Sequence, residues 1–176
     1  MPSSSKIAAM PSQNQPSGAS ALRVTYVPSP IGCLRVSGSE SGIQAIEFCE
    51  NPGPEPGEIP ACLRLAGQQL EEYFQGRRLD FELPLDLRGT AFQKKVWGAL
   101  LEVPCGSTAS YGEIARAIGR PGSGRAVGGA NHCNPVSIIV PCHRIIGGDG
   151  RLTGYGGGLW RKQWLLDHEK KSAARR

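Results

Sequence analysis

The chain contains no apolar run approaching the roughly 20 residues that a bilayer-spanning helix requires, so a membrane protein is not expected. Its opening stretch, MPSSSKIAAMPSQNQPSGAS, lacks the apolar core of a secretory signal, and export is not expected either. The Ser, Pro, Gln and Gly there cannot bury enough surface to offset the entropy of ordering, so residues 1–20 read as a disordered tail. Histidine is scarce, and His132, His143 and His168 all lie late in the chain. The six cysteines are Cys33, Cys49, Cys62, Cys105, Cys133 and Cys142, with no CxxC pair among them. Cys33, Cys49 and Cys62 have no histidine nearby to complete a tetrahedral zinc site, so no metal is expected. Without an export signal, a disulfide framework is not expected. No internal repeat is visible.

What is present is ordinary for a globular protein. The 176 residues suffice for one domain or two small ones with a genuine core, and 39% are hydrophobic against 20% charged. A formal net charge of +5 favours a polyanionic partner. Part of it is the terminal KKSAARR, while Lys94, Lys95, Arg116, Arg120, Arg125, Arg144 and Arg151 all lie in the second half.

Residues 22–50 alternate apolar and polar between turn breakers, which predicts two or three antiparallel strands. The loop NPGPEPGEIP follows, then ACLRLAGQQLEEYFQG, with an apolar stripe at 62, 65, 66, 70, 73 and 74 and a stop at Gly76. LDFELPLDL reads as one more strand or an extended crossover. From residue 90 the texture changes. Thr90 with Gln93, and Ser110 with Glu113, predict capping boxes ahead of two helices, the second closed by Gly119. After RPGS comes GRAVGGANHC, ended by Asn134-Pro135, so a helix-turn-helix is a candidate. LWRKQWLLDHE predicts a last amphipathic helix. The expected fold is α/β (α+β), with a small antiparallel sheet-plus-helix domain at 21–88 and a mostly helical domain at 89–170. Residues 171–176 are expected as a basic tail.

The stretch IIVPCHRII sets a thiol, an imidazole and a guanidinium side by side in an apolar run. A cysteine becomes a useful nucleophile when a base or a positive charge stabilises its thiolate. Read alone, Cys142-His143 also suits a buried structural cysteine beside a chance histidine. Pro141 confines the preceding residue to extended conformations, which predicts an apolar strand leading into Cys142. Read alone, Glu169 suits a solvated helix end, Tyr111 a core aromatic, GYGGG a flexible loop and Arg125 a surface cation.

Several blocks in order, GTAFQKKVW, SYGEIARAIGRP, GRAVGGA, NPVSIIVPCHRII and LLDHE, resemble the O6-alkylguanine-DNA alkyltransferases over about residues 90–170. The resemblance implies DNA repair in which Cys142 accepts the alkyl group from O6 of guanine, and from O4 of thymine, once per molecule. His143 would serve as base through a water, Glu169 would orient it, Asn134 would hold the active-site turn, and Tyr111 would protonate the leaving purine. Ser110, Val140, Tyr155, Gly156 and Gly157 would line the base pocket, with the glycines leaving open space for bulkier alkyl groups. Arg125, Ala126, Gly128, Ala130, Tyr111 and Arg144 would meet DNA, with the small residues entering the minor groove and Arg125 filling the place of the extruded nucleotide.

No metal or organic cofactor is implied. The partner is double-stranded DNA bearing O6-alkylguanine, no membrane is involved, and the protein is expected as a monomer. Its expected location is the cytoplasm, with the nucleoid, in a bacterium, or the nucleus in a eukaryote. The alternative is a non-catalytic alkyltransferase-like DNA-binding protein that flags lesions; such proteins replace the acceptor cysteine, which is present here.

Overall fold

The computed structural model describes residues 21–54 and 57–175; the expected tail at 1–20 lies outside them. Strands β1 (Arg23–Val27), β2 (Cys33–Ser39) and β3 (Gly42–Cys49) form one antiparallel sheet in that order. Leu34 lies opposite Phe48, and Val36 opposite Ile46. Alternation along a strand sends such residues to one face, and Leu34, Val36, Ile43 and Ile46 are buried.

Helix α1 (Ala61–Phe74) packs on the sheet through Leu63, Ala66, Leu70 and Tyr73, which fall on one line at helical spacing. Leu65, expected in that stripe, sits off the line and is 39% exposed. LDFELPLDL is an extended crossover. Its single parallel bridge joins Leu85 to Ile43, whose N–H donates to Pro84 O at 2.8 Å.

Both expected capping boxes are present. At α2 (Ala91–Leu101), Gln93 N–H donates to Thr90 Oγ1 at 3.2 Å, and Thr90 N–H to Gln93 Oε1 at 2.8 Å. At α3 (Tyr111–Ala117), Ser110 N–H donates to Glu113 Oε2 at 2.6 Å and Glu113 N–H to Ser110 Oγ at 3.2 Å. The chain leaves α3 through Gly119 at φ 71°, a left-handed position where a side chain would be strained. There Gly119 N–H donates to Arg116 O and Arg120 N–H to Ala115 O, which closes the helix. Helix α4 (Gly124–His132) then packs on α2 and α3, completing a helix-turn-helix, and ends two residues before Asn134-Pro135. Trp97, fully buried on α2, donates its indole N–H to Ala130 O at 2.9 Å and locks α2 to α4.

Two expectations are corrected. The segment before Cys142 is not a strand but a compact turn. Val140 N–H returns to Val136 O at 3.0 Å, and Ile138 adopts φ 74°. A left-handed conformation is costly for a β-branched residue, and the strain is held because Ile138, Ile139 and Val140 are all buried. The apolar run therefore reports core burial, not strand pairing. Nor are residues 171–173 a tail: α5 (Leu159–Ala173) runs through them with Ser172 buried. Lys170 and Lys171 in its last turn complement the negative end of the helix dipole.

The two halves meet along β3. Ile46 N–H donates to Pro135 O at 2.8 Å, and Ser137 N–H donates to Ile46 O at 3.2 Å. The sheet therefore braces the turn that carries Cys142. Farther on, β4 (Ala109–Ser110) pairs in parallel with β5 (Ile145–Ile146), linking the start of α3 to the residues after the Cys-His-Arg turn. No helix among the described residues is long and apolar enough to cross a membrane.

Candidate active site

Cys142, His143 and Arg144 form one turn of 3-10 helix between the braced turn and β5. Asn134 fixes the approach to it: Val136 N–H donates to Asn134 Oδ1 at 3.0 Å, and Asn134 Nδ2 donates to Val140 O at 2.8 Å. Cys142 N–H also bonds Val140 O, at 2.8 Å. That carbonyl is doubly engaged, which holds the Val140 backbone in place. From α4, Asn131 Nδ2 reaches Cys142 O at 3.4 Å.

Cys142 is only 5% exposed. Burial pushes its thiol above the ordinary 9.0, opposed by a hydrogen bond from the Asn134 side chain and by the charge of Lys162. A thiol held this way needs a base. His143, next to it, is fully buried, and burial lowers its pKa below the ordinary 6.5 against the pull of Glu169. A neutral imidazole can take a proton. Its Nε2 lies 2.6 Å from Glu169 Oε1, while its Nδ1 makes no hydrogen bond to another protein group.

Glu169 is no solvated helix end: its exposure is 0%. Besides His143 it accepts from Tyr73 Oη at 2.9 Å, Arg144 Nε at 2.9 Å, Arg144 Nη2 at 3.0 Å and Gly106 N–H at 3.1 Å. Burial alone would raise its pKa; the bonds and charges of His143 and Arg144 outweigh that and keep it ionised far below the carboxylate range. The carboxylate therefore accepts from Nε2–H and leaves the lone pair on Nδ1, the base tautomer.

Arg144 is corrected from the expected DNA contacts. It is buried, pairs with Glu169 through two nitrogens, and donates Nη1 to Val103 O at 2.5 Å. Its physical role is to neutralise a buried carboxylate. Ala130 is corrected too: it is buried, and its carbonyl holds Trp97. Arg125 and Ala126 are exposed on α4, and Gly128 is half-buried. A Cβ on Gly128 would meet the ring of Tyr111 at 3.7 Å, so that ring lies against the glycine face of the helix. The Tyr111 hydroxyl pairs with Thr153 Oγ1 at 2.8 Å, and Ser110, half-buried, caps α3 beside it.

In the glycine-rich loop, Gly156 has open space around it, whereas a Cβ on Gly157 would lie 2.7 Å from Phe48 and 2.9 Å from Tyr155. Space is thus open at Gly156 and closed at Gly157 by the rings of Phe48 and Tyr155. Tyr155 has a buried hydroxyl with no protein partner, and burial, then the neighbouring Cys142 charge, pushes its pKa well above the usual value.

Three participants escape a reading of motifs. Tyr73 comes from the other half of the chain. Lys162, fully buried, donates Nζ to Ile145 O at 2.5 Å and to Thr153 O at 2.8 Å, and burial brings its pKa to about 8. Arg161 donates to Ile31 O at 2.7 Å and Gly157 O at 2.8 Å, tying the loop to the sheet. Lys162 carried one available signal, a cation on the apolar side of an amphipathic helix.

Comparison with known proteins agrees with this geometry. Residues 22–87 match the 6-O-methylguanine DNA methyltransferase ribonuclease-like domain, and residues 91–171 match the DNA binding domain of the same proteins. A methylated-DNA–protein-cysteine methyltransferase of Mycobacterium tuberculosis is 49% identical over 155 residues, covering 84% of this chain and 92% of that protein. One from Methanosarcina barkeri is 47% identical over 153 residues, covering 83% and 96%. The crystal structure of M. tuberculosis O6-methylguanine methyltransferase superposes with a TM-score of 0.78 at 47% identity, over 86% of this chain and 94% of that one. A structure of M. tuberculosis OGT in complex with DNA gives 0.77 at 49%, over 85% and 93%. With both halves matched in order, the chain belongs to the 6-O-methylguanine DNA methyltransferase family.

Proposed function

We propose that this chain repairs DNA by taking the alkyl group from O6 of guanine onto Sγ of Cys142, once per molecule. The observation that supports it best is the buried set Cys142, His143, Glu169, a thiol followed in the chain by a neutral imidazole whose Nε2 faces a carboxylate kept ionised at neutral pH. In this reading His143 Nδ1 accepts the thiol proton through a water, and Sγ attacks the alkyl carbon in line. The C–O6 bond breaks, and the Tyr111 hydroxyl donates a proton to the departing purine, which would otherwise leave as an anion. The thioether has no easy route back, so the reaction ends there.

The target base must leave the duplex to reach a thiol this deep. Helix α4 offers Arg125, Ala126 and Gly128 to the minor groove, where small side chains permit close approach and Arg125 takes the place of the extruded nucleotide. Ser110, Val140, Tyr155 and Gly156 bound the base pocket, and Asn134 keeps its turn in place. O4-alkylthymine is the second substrate. The protein works as a monomer on double-stranded DNA in the DNA-containing compartment, without metal or organic cofactor, and is divided near residue 88 into a bracing half and a reacting half.

The test is mass spectrometry after incubation with a duplex carrying O6-methylguanine, beside Cys142→Ser. A gain of one methyl group on Cys142, stopping at one per chain and missing in the variant, is the expected result. Lesion binding with no mass gain would instead favour the non-catalytic, lesion-flagging reading.

A further inference from the structure

Cys33 opens β2 and Cys49 closes β3, and the two stand directly opposite in the antiparallel register. Ile46 directs its N–H and C=O away from β2, toward Pro135 and Ser137. By alternation along the ladder, Cys33 and Cys49 then form a pair of the hydrogen-bonded kind, with Cα atoms about 5.5 Å apart. That separation is inside the range of about 4.4–6.8 Å that a disulfide spans. Cys49 Sγ lies 3.6 Å from Cys33 O. Both residues are half-buried, free, and within reach of a small oxidant. Burial and then the adjacent Cys49 push the Cys33 thiol up to about 11.

The pair is fastened to the glycine loop at both ends. Phe48, preceding Cys49, meets Tyr155 edge-on at 6.4 Å and leaves no room for a Cβ on Gly157. Arg161 stacks over Phe48 at 4.5 Å while bonding Ile31 O, two residues before Cys33, and Gly157 O. Hydrogen-bonded pairs hold their side chains farther apart than the other kind, so a bridge there must draw the strand ends together. Bridges that are strained or exposed are the labile ones.

We infer that Cys33 and Cys49 are a redox modification site, closing reversibly to a disulfide that shifts Phe48 and slows the reaction at the neighbouring loop. With a low-molecular-weight disulfide as oxidant, one thiolate of the pair attacks one sulfur and releases one thiol. The other cysteine then displaces the second, so one disulfide is exchanged for another and two small thiols are released.

The test equilibrates the full chain in oxidised and reduced glutathione over poises of about −280 to −180 mV. Free thiols are then blocked, the peptides mapped, and the rate of methyl transfer from an O6-methylguanine duplex measured. The expected result is a Cys33–Cys49 linked peptide and a rate lower by up to about a hundredfold, the scale of effect that a misplacement of about 1 Å produces. Dithiothreitol should restore it. Cys33→Ser and Cys49→Ser should keep the reduced rate in every buffer. Absence of the linked peptide, or linkage only to glutathione or to the exposed Cys133, overturns the inference. So does an equal loss of rate in the serine variants, which would place the oxidation on Cys142, and so does a bridge that leaves the rate unchanged.

Discussion

Tyr73 donates its hydroxyl to Glu169 Oε1 at 2.9 Å across 96 residues of chain, so the first half of the protein holds the carboxylate that faces His143. Tyr73→Phe removes this bond while Arg144 and His143 stay on the carboxylate. Stability in urea should fall by about 1.5–3 kcal/mol, the range for a hydrogen bond to a charged group. The transfer rate should fall less than in Glu169→Gln. That second change leaves the Arg144 guanidinium buried without its counter-charge, which costs about 3–5 kcal/mol, and it also loosens the imidazole tautomer. Equal rates in the two variants would mean that Tyr73 and the carboxylate charge contribute alike.

The pH dependence follows from two opposed groups. His143 is held below 6.5 by burial, and it must be neutral to take the thiol proton. The rate should be flat through neutral pH and fall only on acidification below 6.5. Stability moves the same way. The unfolded chain protonates this histidine near 6.5 while the folded one resists, so the stabilisation present above that value is lost as pH falls toward the folded pKa. Glu169, with its folded pKa depressed, adds a second contribution that is present above 4.5 and lost as pH drops through its folded value. Thermal melts and single-turnover rates from about pH 8 to about pH 4 check both signs. A rate that rises on acidification would remove His143 as the base.

Much of this was legible because local rules agreed with tertiary needs. The capping pairs Thr90/Gln93 and Ser110/Glu113 satisfy backbone donors within a few residues, so sequence spacing alone determines them. The three strands and α1 followed from periodicity for the same reason. Elements set by distant partners depart from the local pattern. The run IIVPC carries the composition of a strand, but Asn134 and the edge of β3 bend it into a turn. Arg144 read as a DNA contact because no local signal announces a carboxylate 25 residues later. Tyr73, Lys162 and Phe48 join the site only through packing, and a spacing pattern cannot report packing between halves.

Arg125 and Arg144, alike in sequence context, should separate in solution. Arg125 is exposed at the start of α4, and Arg125→Ala should weaken duplex binding and lower the slope of log affinity against log salt by about one, as the loss of one phosphate contact does. Thermal stability should stay nearly unchanged. Arg144→Lys keeps a charge but loses the two-nitrogen grip on Glu169, so it should lower stability and transfer rate with the salt slope unchanged. Fluorescence anisotropy across salt concentrations, with melts of each variant, separates the cases. A reduced salt slope for the Arg144 variant would return that residue to the DNA surface.

Gly156 and Gly157 make the sharpest contrast within one loop. Nothing crowds a Cβ on Gly156, so Gly156→Ala should fold normally and act, if at all, on the choice of alkyl group. A Cβ on Gly157 meets Phe48 at 2.7 Å and Tyr155 at 2.9 Å, and the Phe48 ring cannot yield without disturbing the Arg161 stack. Gly157→Ala should therefore cost about 1–3 kcal/mol, the usual penalty for overpacking a fitted contact. It should also slow transfer by moving the Tyr155 ring. If the Phe48 contact is the cause, Phe48→Leu should be mildly destabilising alone and should recover much of the loss when combined with Gly157→Ala. A double-mutant cycle read by urea denaturation gives that coupling directly. Additive effects would show that the glycine is needed for some reason other than its contact with Phe48.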